Sequence, residues 1–116
     1  MKAIFIDSKN RKISEVEIPK QGTLKAWYKV IGCEIVEVAT YINSHNDSIL
    51  VDEEGLIKEI NPDSPFFIYS GSHQPFAGNG LIIGVDKEGE SISHHTTVEE
   101  VESKVTFYTY DQLKKG

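Results

Sequence analysis

Leu81-Ile82-Ile83-Gly84-Val85-Asp86-Lys87-Glu88-Gly89 is an apolar run the length of one strand, closed by a turn signal. Leu81 to Asp86 reads as a buried strand, and Gly84 within it marks a bulge or a close backbone contact. The turn has a twin. Val51-Asp52-Glu53-Glu54-Gly55 and Val85-Asp86-Lys87-Glu88-Gly89 share V-D-x-E-G, each after an apolar run. Asp starts a type I turn and Gly supplies the left-handed residue that closes it, so both copies read as tight hairpin turns. Two copies do not make a solenoid, which needs three or more units. Neither copy has the alternating oxygen ligands of a calcium loop.

Hairpins of this kind imply antiparallel pairing, and the flanking sequence supplies the other strands. Lys2 to Asp7 and Lys12 to Ile18 are β-rich runs on either side of Ser8-Lys9-Asn10-Arg11, an N-terminal hairpin. Glu34 to Ile42 and Ser48 to Asp52 form a second pair around the loop Asn43–Asp47. Phe66-Phe67-Ile68-Tyr69 is a short apolar island of strand character, and Val105 to Tyr110 is a last strand. Leu24, Trp27, Tyr28 and Ile31 recur at i, i+3, i+4 and i+7 behind Thr23, which predicts a helix ending at Gly32. Thr97 with Glu100 forms a capping box for a short helix that turns Val98 and Val101 inward. Lys114-Lys115-Gly116 reads as a frayed tail. The expected fold is α+β: a mostly antiparallel sheet of about six strands, one main helix packed on it and a short C-terminal helix.

The chain has 116 residues, 39% of them hydrophobic and 26% charged, which fits one globular domain spanning 1–116. Cys33 is the sole cysteine, so no intrachain disulfide forms. Met1 to Asp7 lacks the apolar core of a secretion signal, and no apolar run is long enough for a membrane span. The expected location is the cytoplasm. A net charge of −6 argues against a nucleic-acid binder, though residues 1–31 carry +4 and the remainder −10. Such asymmetry orients a partner or is simply a solvated surface.

Chemistry is harder to find. His94 and His95 are adjacent, so in an extended segment they point to opposite faces and do not share a metal ion. Cys33 follows a helix C-terminus, the wrong end for an activated thiolate. No nucleophile elbow, phosphate loop or distinguished carboxylate pair is present. No catalytic residue, metal or cofactor is therefore assigned. Two binding ideas remain. The start of the Thr23 helix, flanked by Lys20 and Lys25, suits an anion or is capped by solvent. Residues 70–80 form a loop with no formal charge, in which His73, Gln74, Phe76 and Asn79 offer a ligand site. The competing reading makes this loop a lid on the core, with Phe76 as its plug.

Gly32-Cys33-Glu34-Ile35-Val36-Glu37, Val51-Asp52-Glu53-Glu54-Gly55-Leu56 and Gln74 to Gly89 together resemble an uncharacterised domain-of-unknown-function family. It consists of small proteins from phages, plasmids and other mobile elements. Its pattern reads IGC-x-x-VE, VDEEGL and QPLxGxGLVLGxDxEG, with Phe76 here standing in place of leucine. The resemblance covers the chain up to about Phe107. It implies a single domain and an accessory protein acting on a host or phage component, and it transfers no activity.

The function these readings favour is a non-enzymatic protein-interaction module of a mobile element, working through a sheet edge or its acidic face. The alternative is a binder of a small ligand, nucleotide or anion, using loop 70–80, and the third is an enzyme of unknown class. The partner is another protein or the chain itself. A homodimer through the C-terminal edge, the apolar strand Phe107-Tyr108-Thr109-Tyr110 with its exposed tail, is the expected form.

Overall fold

The structure is a computed structural model. It describes residues 2–18, 36–42, 47–52, 60–70, 75–88 and 91–115, with backbone alone at 36–41, 91 and 115. The Thr23 helix with Trp27, the anion site Lys20, Thr23 and Lys25, Cys33, and the loop residues His73 and Gln74 lie outside the described residues.

Among the described residues the strands are β1 (Lys2–Asp7), β2 (Lys12–Glu17), β3 (Val36–Tyr41), β4 (Ser48–Asp52), β5 (Pro65–Tyr69), β6 (Phe76–Ala77), β7 (Gly80–Val85), β8 (Ser91–Ile92) and β9 (Val105–Thr109). Two short helices, α1 (Val98–Lys104) and α2 (Tyr110–Lys115), bracket β9. Every strand pair is antiparallel. The fold is thus α+β and mostly antiparallel.

The strands form two sheets, not the single sheet of about six expected from sequence. One runs β2-β1-β7-β4-β3, with β8 pairing the end of β7; the other runs β6-β5-β9. The physical reason lies at β7. Its flanks are already taken by β1 and β4, so the Phe66–Tyr69 island pairs instead with β6 and β9. The described helices are also short, seven and six residues, and neither is a main helix.

Register decides which residues make the core. Ile4, Ile82 and Ile49 align across β1, β7 and β4, and the next row is Phe5, Leu81 and Leu50. Adjacent rows face opposite ways because side chains alternate along a strand. Ile4, Ile6, Ile49, Val51 and Ile82 therefore pack against Phe67, Tyr69 and Phe76 of the second sheet and Val101 of α1. Ala3, Leu50, Leu81 and Ile83 form a separate buried cluster with Ile18. Each fully buried aliphatic side chain stabilises by about 1.5–3 kcal/mol relative to an exposed one.

One glycine permits a close approach at the end of β7. A Cβ on Gly84 would stand 2.4 Å from the Ser93 carbonyl oxygen, so only glycine lets the chain beyond β8 press onto β7. This is the close backbone contact read from sequence. Asp86 likewise accepts the Glu88 N–H at 2.9 Å, as its place in V-D-x-E-G requires.

The C-terminus departs from the expected strand and frayed tail. β9 stops at Thr109, where Tyr110 begins α2. Thr109 Oγ1 accepts the Gln112 N–H at 3.3 Å, while Gln112 Oε1 accepts the Thr109 N–H at 2.9 Å. This reciprocal capping box, Thr-x-x-Gln, turns the strand into a helix within one residue.

Candidate functional site

The most concentrated polar chemistry among the described residues is at the base of α1. Asp47, just ahead of β4, is fully buried. Its carboxylate accepts the His95 N–H at 3.0 and 2.8 Å and the Thr96 N–H at 2.7 Å. It also accepts Nδ1–H of His95 at 2.8 Å. A carboxylate out of water is tolerated only when such donors surround it. Thr97 then caps α1 through the Glu100 N–H, as the capping box requires, and the Glu100 carboxylate accepts the Thr96 hydroxyl at 2.9 Å. Buried Tyr69 sits close enough to feel both acids. Its hydroxyl is pushed above the ordinary value of 10.0, first by burial, then by Glu100 and Asp47.

What this centre does follows from its donors. Two of the groups bonded to the Asp47 carboxylate are backbone N–H groups of the turn that enters α1, so the carboxylate fixes that turn onto β4. His95 is oriented by it as a dividend of the same geometry. His94 turns elsewhere: its Nδ1 lies 2.6 Å from the Thr96 carbonyl oxygen and its Nε2 2.9 Å from the Glu15 carboxylate. The two imidazoles diverge, one towards β2 and one towards Asp47. No group of three or more metal-ligating side chains occurs among the described residues.

A second feature is the outer side of β9. The ladder to β5 is regular over five pairs. The Ser70 N–H donates to the Lys104 carbonyl at 2.8 Å, and the Tyr110 N–H to the Ser64 carbonyl at 2.9 Å. Hydrogen-bonded pairs alternate along an antiparallel ladder, so Thr106 and Tyr108 also bond to β5. Val105, Phe107 and Thr109 then direct their N–H and C=O groups outward. The Val105 N–H is taken by the Val101 carbonyl at the end of α1, and the Thr109 N–H by Gln112. Among the described residues Phe107 alone presents both groups on the open edge.

Beside this edge lies a cleft of about 610 Å³ between the β1–β2 hairpin and β9 with α1. Phe5, Ile13, Val105 and Phe107 give it apolar walls, with Arg11 and Glu102 among its charged lining. Arg11 Nη2 reaches Gln112 Oε1 at 3.4 Å, linking the hairpin tip to α2. Arg11 has a φ of 55°, a left-handed turn residue that is not glycine.

The described part of loop 70–80 is engaged internally. Phe76 is buried, its ring 5.3 Å from that of Phe67. Asn79 Oδ1 accepts the Ser8 N–H at 3.0 Å, pinning the hairpin turn to the start of β7. Sequence reasoning passed over Asp47, which it placed in a polar loop, and Tyr69, which it read as part of an apolar strand. The partners that give them meaning lie far along the chain, 48 and 49 residues away for Asp47, and no local pattern reveals them. The β9 edge did carry a signal: Val105 to Tyr110 is uncharged.

Fold and site together define, among the described residues, a small two-sheet α+β protein with a fixed polar centre and an uncharged strand edge at β9. The chain belongs to the family described as Domain of unknown function (DUF3846), which matches residues 1–106. No curated protein and no solved structure matches it. No described helix is long and apolar enough to cross a membrane.

Proposed function

We propose that this chain is a non-enzymatic protein-interaction module whose binding element is the outer edge of β9. The observation that carries this reading is a contrast among the sheet edges. β2 bears Lys12, Glu15 and Glu17 along its length. β3 bears Glu37 and a register shift between Val38 and Thr40. β6 is two residues long and follows Pro75. Charge, bulge, brevity and proline are the devices by which proteins keep sheet edges from pairing. β9, Val105-Thr106-Phe107-Tyr108-Thr109, has no charge, no proline and no bulge. An edge left in this state is matched to another strand.

Carriage on a mobile element, which the sequence resemblance implies, fits an accessory protein that acts by engaging another protein. The polar centre serves the same end, because Asp47 holds α1 and hence the start of β9 in place. Photo-crosslinking tests the reading. A benzophenone amino acid at position 107, introduced in cells that carry the gene, should link to one extended segment of one protein. The same group at Glu88, an exposed turn position, should not. Equal, scattered labelling from both positions would refute it.

A further inference from the structure

Resting on that reading, we infer that the strand received by β9 is β9 of a second copy of this chain, with a two-fold axis through Phe107. The pattern of free backbone groups admits this partner through one central pair. Both N–H and C=O of Phe107 face the open edge, whereas the flanking N–H groups of Val105 and Thr109 are bonded within the chain. The edge therefore makes one reciprocal pair of hydrogen bonds at Phe107, and beside it the Val105 and Thr109 carbonyls offer acceptors only. A two-fold axis through Phe107 makes that pair, each Phe107 N–H donating to the other copy's Phe107 carbonyl. A partner strand's flanking N–H groups can donate to the Val105 and Thr109 carbonyls, which also face outward, whereas its flanking carbonyls meet N–H groups already bonded within this chain. A second β9 makes the central pair and leaves the flanking carbonyls of both copies to water.

Side chains and charges agree with the antiparallel arrangement. Paired residues lie on the same face of a sheet, so the second copy's Phe107 falls beside the first on the cleft side. Both half-buried rings, and the walls of Val105 and Ile13, are covered further. The nearest formal charges on either side of the uncharged run are Lys104 and Asp111. Antiparallel pairing carries each towards its opposite, while parallel pairing would stack like on like. Tyr110, the exposed large hydrophobic residue at the strand end, is drawn to Lys104 of the second copy, where cation and ring attract.

Light scattering and engineered cysteines test this on the intact chain. Wild-type protein at tens of micromolar should show twice the 13.0 kDa chain mass. In a Cys33→Ser background, Phe107→Cys should form a covalent dimer under mild oxidation, because residues paired across the axis are within disulfide reach. Thr109→Cys, whose partner in this register is Val105, should not. A single-chain mass throughout, or equal crosslinking from both positions, overturns the two-fold pairing. If the chain is monomeric while position 107 still links to another protein, the interaction reading stands and the second copy does not.

Discussion

The ring of Phe67 occupies the space that any side chain at position 80 would need. A Cβ on Gly80 would stand 2.7 Å from Cζ of Phe67 and 3.1 Å from Cε1. Phe67 is fully buried, so its ring has nowhere to retreat. Gly80→Ala should therefore destabilise the protein by about 1–3 kcal/mol, as overpacking does. Gly80→Ala combined with Phe67→Leu should cost less than the two single changes added, since the second makes room for the first. Urea midpoints of the four proteins measure this. Strict additivity would mean that the two sheets do not meet at these residues.

Asp47 gives a graded prediction. Asp47→Asn keeps an acceptor oxygen but turns an amide N–H group towards backbone donors, and should cost about 3 kcal/mol or more. His95→Ala removes one imidazole bond and leaves the backbone bonds of residues 95 and 96 intact. Its cost should be about 1 kcal/mol. Equal losses in chemical denaturation would show that the imidazole contact, rather than the turn, is what the carboxylate serves.

Tyr69 makes stability fall at alkaline pH. Its folded-state ionisation is raised above the unfolded value of 10.0. Below that value the phenol is protonated in both states and costs nothing. As pH rises past 10.0 the unfolded chain sheds the proton first, so unfolding is favoured until the folded phenol ionises too. Tyr69→Phe should accordingly lose less stability than wild type over that alkaline range. Parallel pH profiles of the urea midpoint would contradict the assignment.

The sequence and the structure part company where pairing is non-local. Hairpin β1–β2, strand β7, the Asp86 turn, the Gly84 contact and the Thr97 cap were legible, because each depends on residues within a few positions or on glycine alone. That Phe66–Tyr69 leaves the main sheet was not, since its partner β9 is some forty residues away and periodicity does not name partners. Thr109-Tyr110-Asp111-Gln112 is a different case. The capping signal stands in the sequence, and it was masked by the strand-like run before it. Of the candidate site, the uncharged β9 was visible; that Phe107 alone presents both outward groups required the ladder itself.

Gln112 has two roles that should separate on mutation. Gln112→Ala removes the returning half of the α2 capping box, the Thr109 N–H to Oε1 bond, while the Thr109 hydroxyl keeps the residue-112 N–H. It should lower stability by about 1 kcal/mol. The same change releases the Thr109 N–H, which in the two-fold register faces the second copy's Val105 carbonyl. The variant should therefore be less stable as a chain yet associate more tightly. Light scattering over a dilution series, read beside its melting temperature, checks both. A variant weaker in both respects would place Thr109 away from the pairing edge.

The most direct measurement is amide hydrogen exchange along β9 as a function of protein concentration. Thr106 and Tyr108 donate to β5 and should be protected at every concentration. The Phe107 N–H faces the open edge and should exchange quickly in dilute solution, becoming protected as the concentration rises. Fast exchange at Phe107 across the whole range, with its neighbours protected, would contradict the pairing of this edge with a second copy.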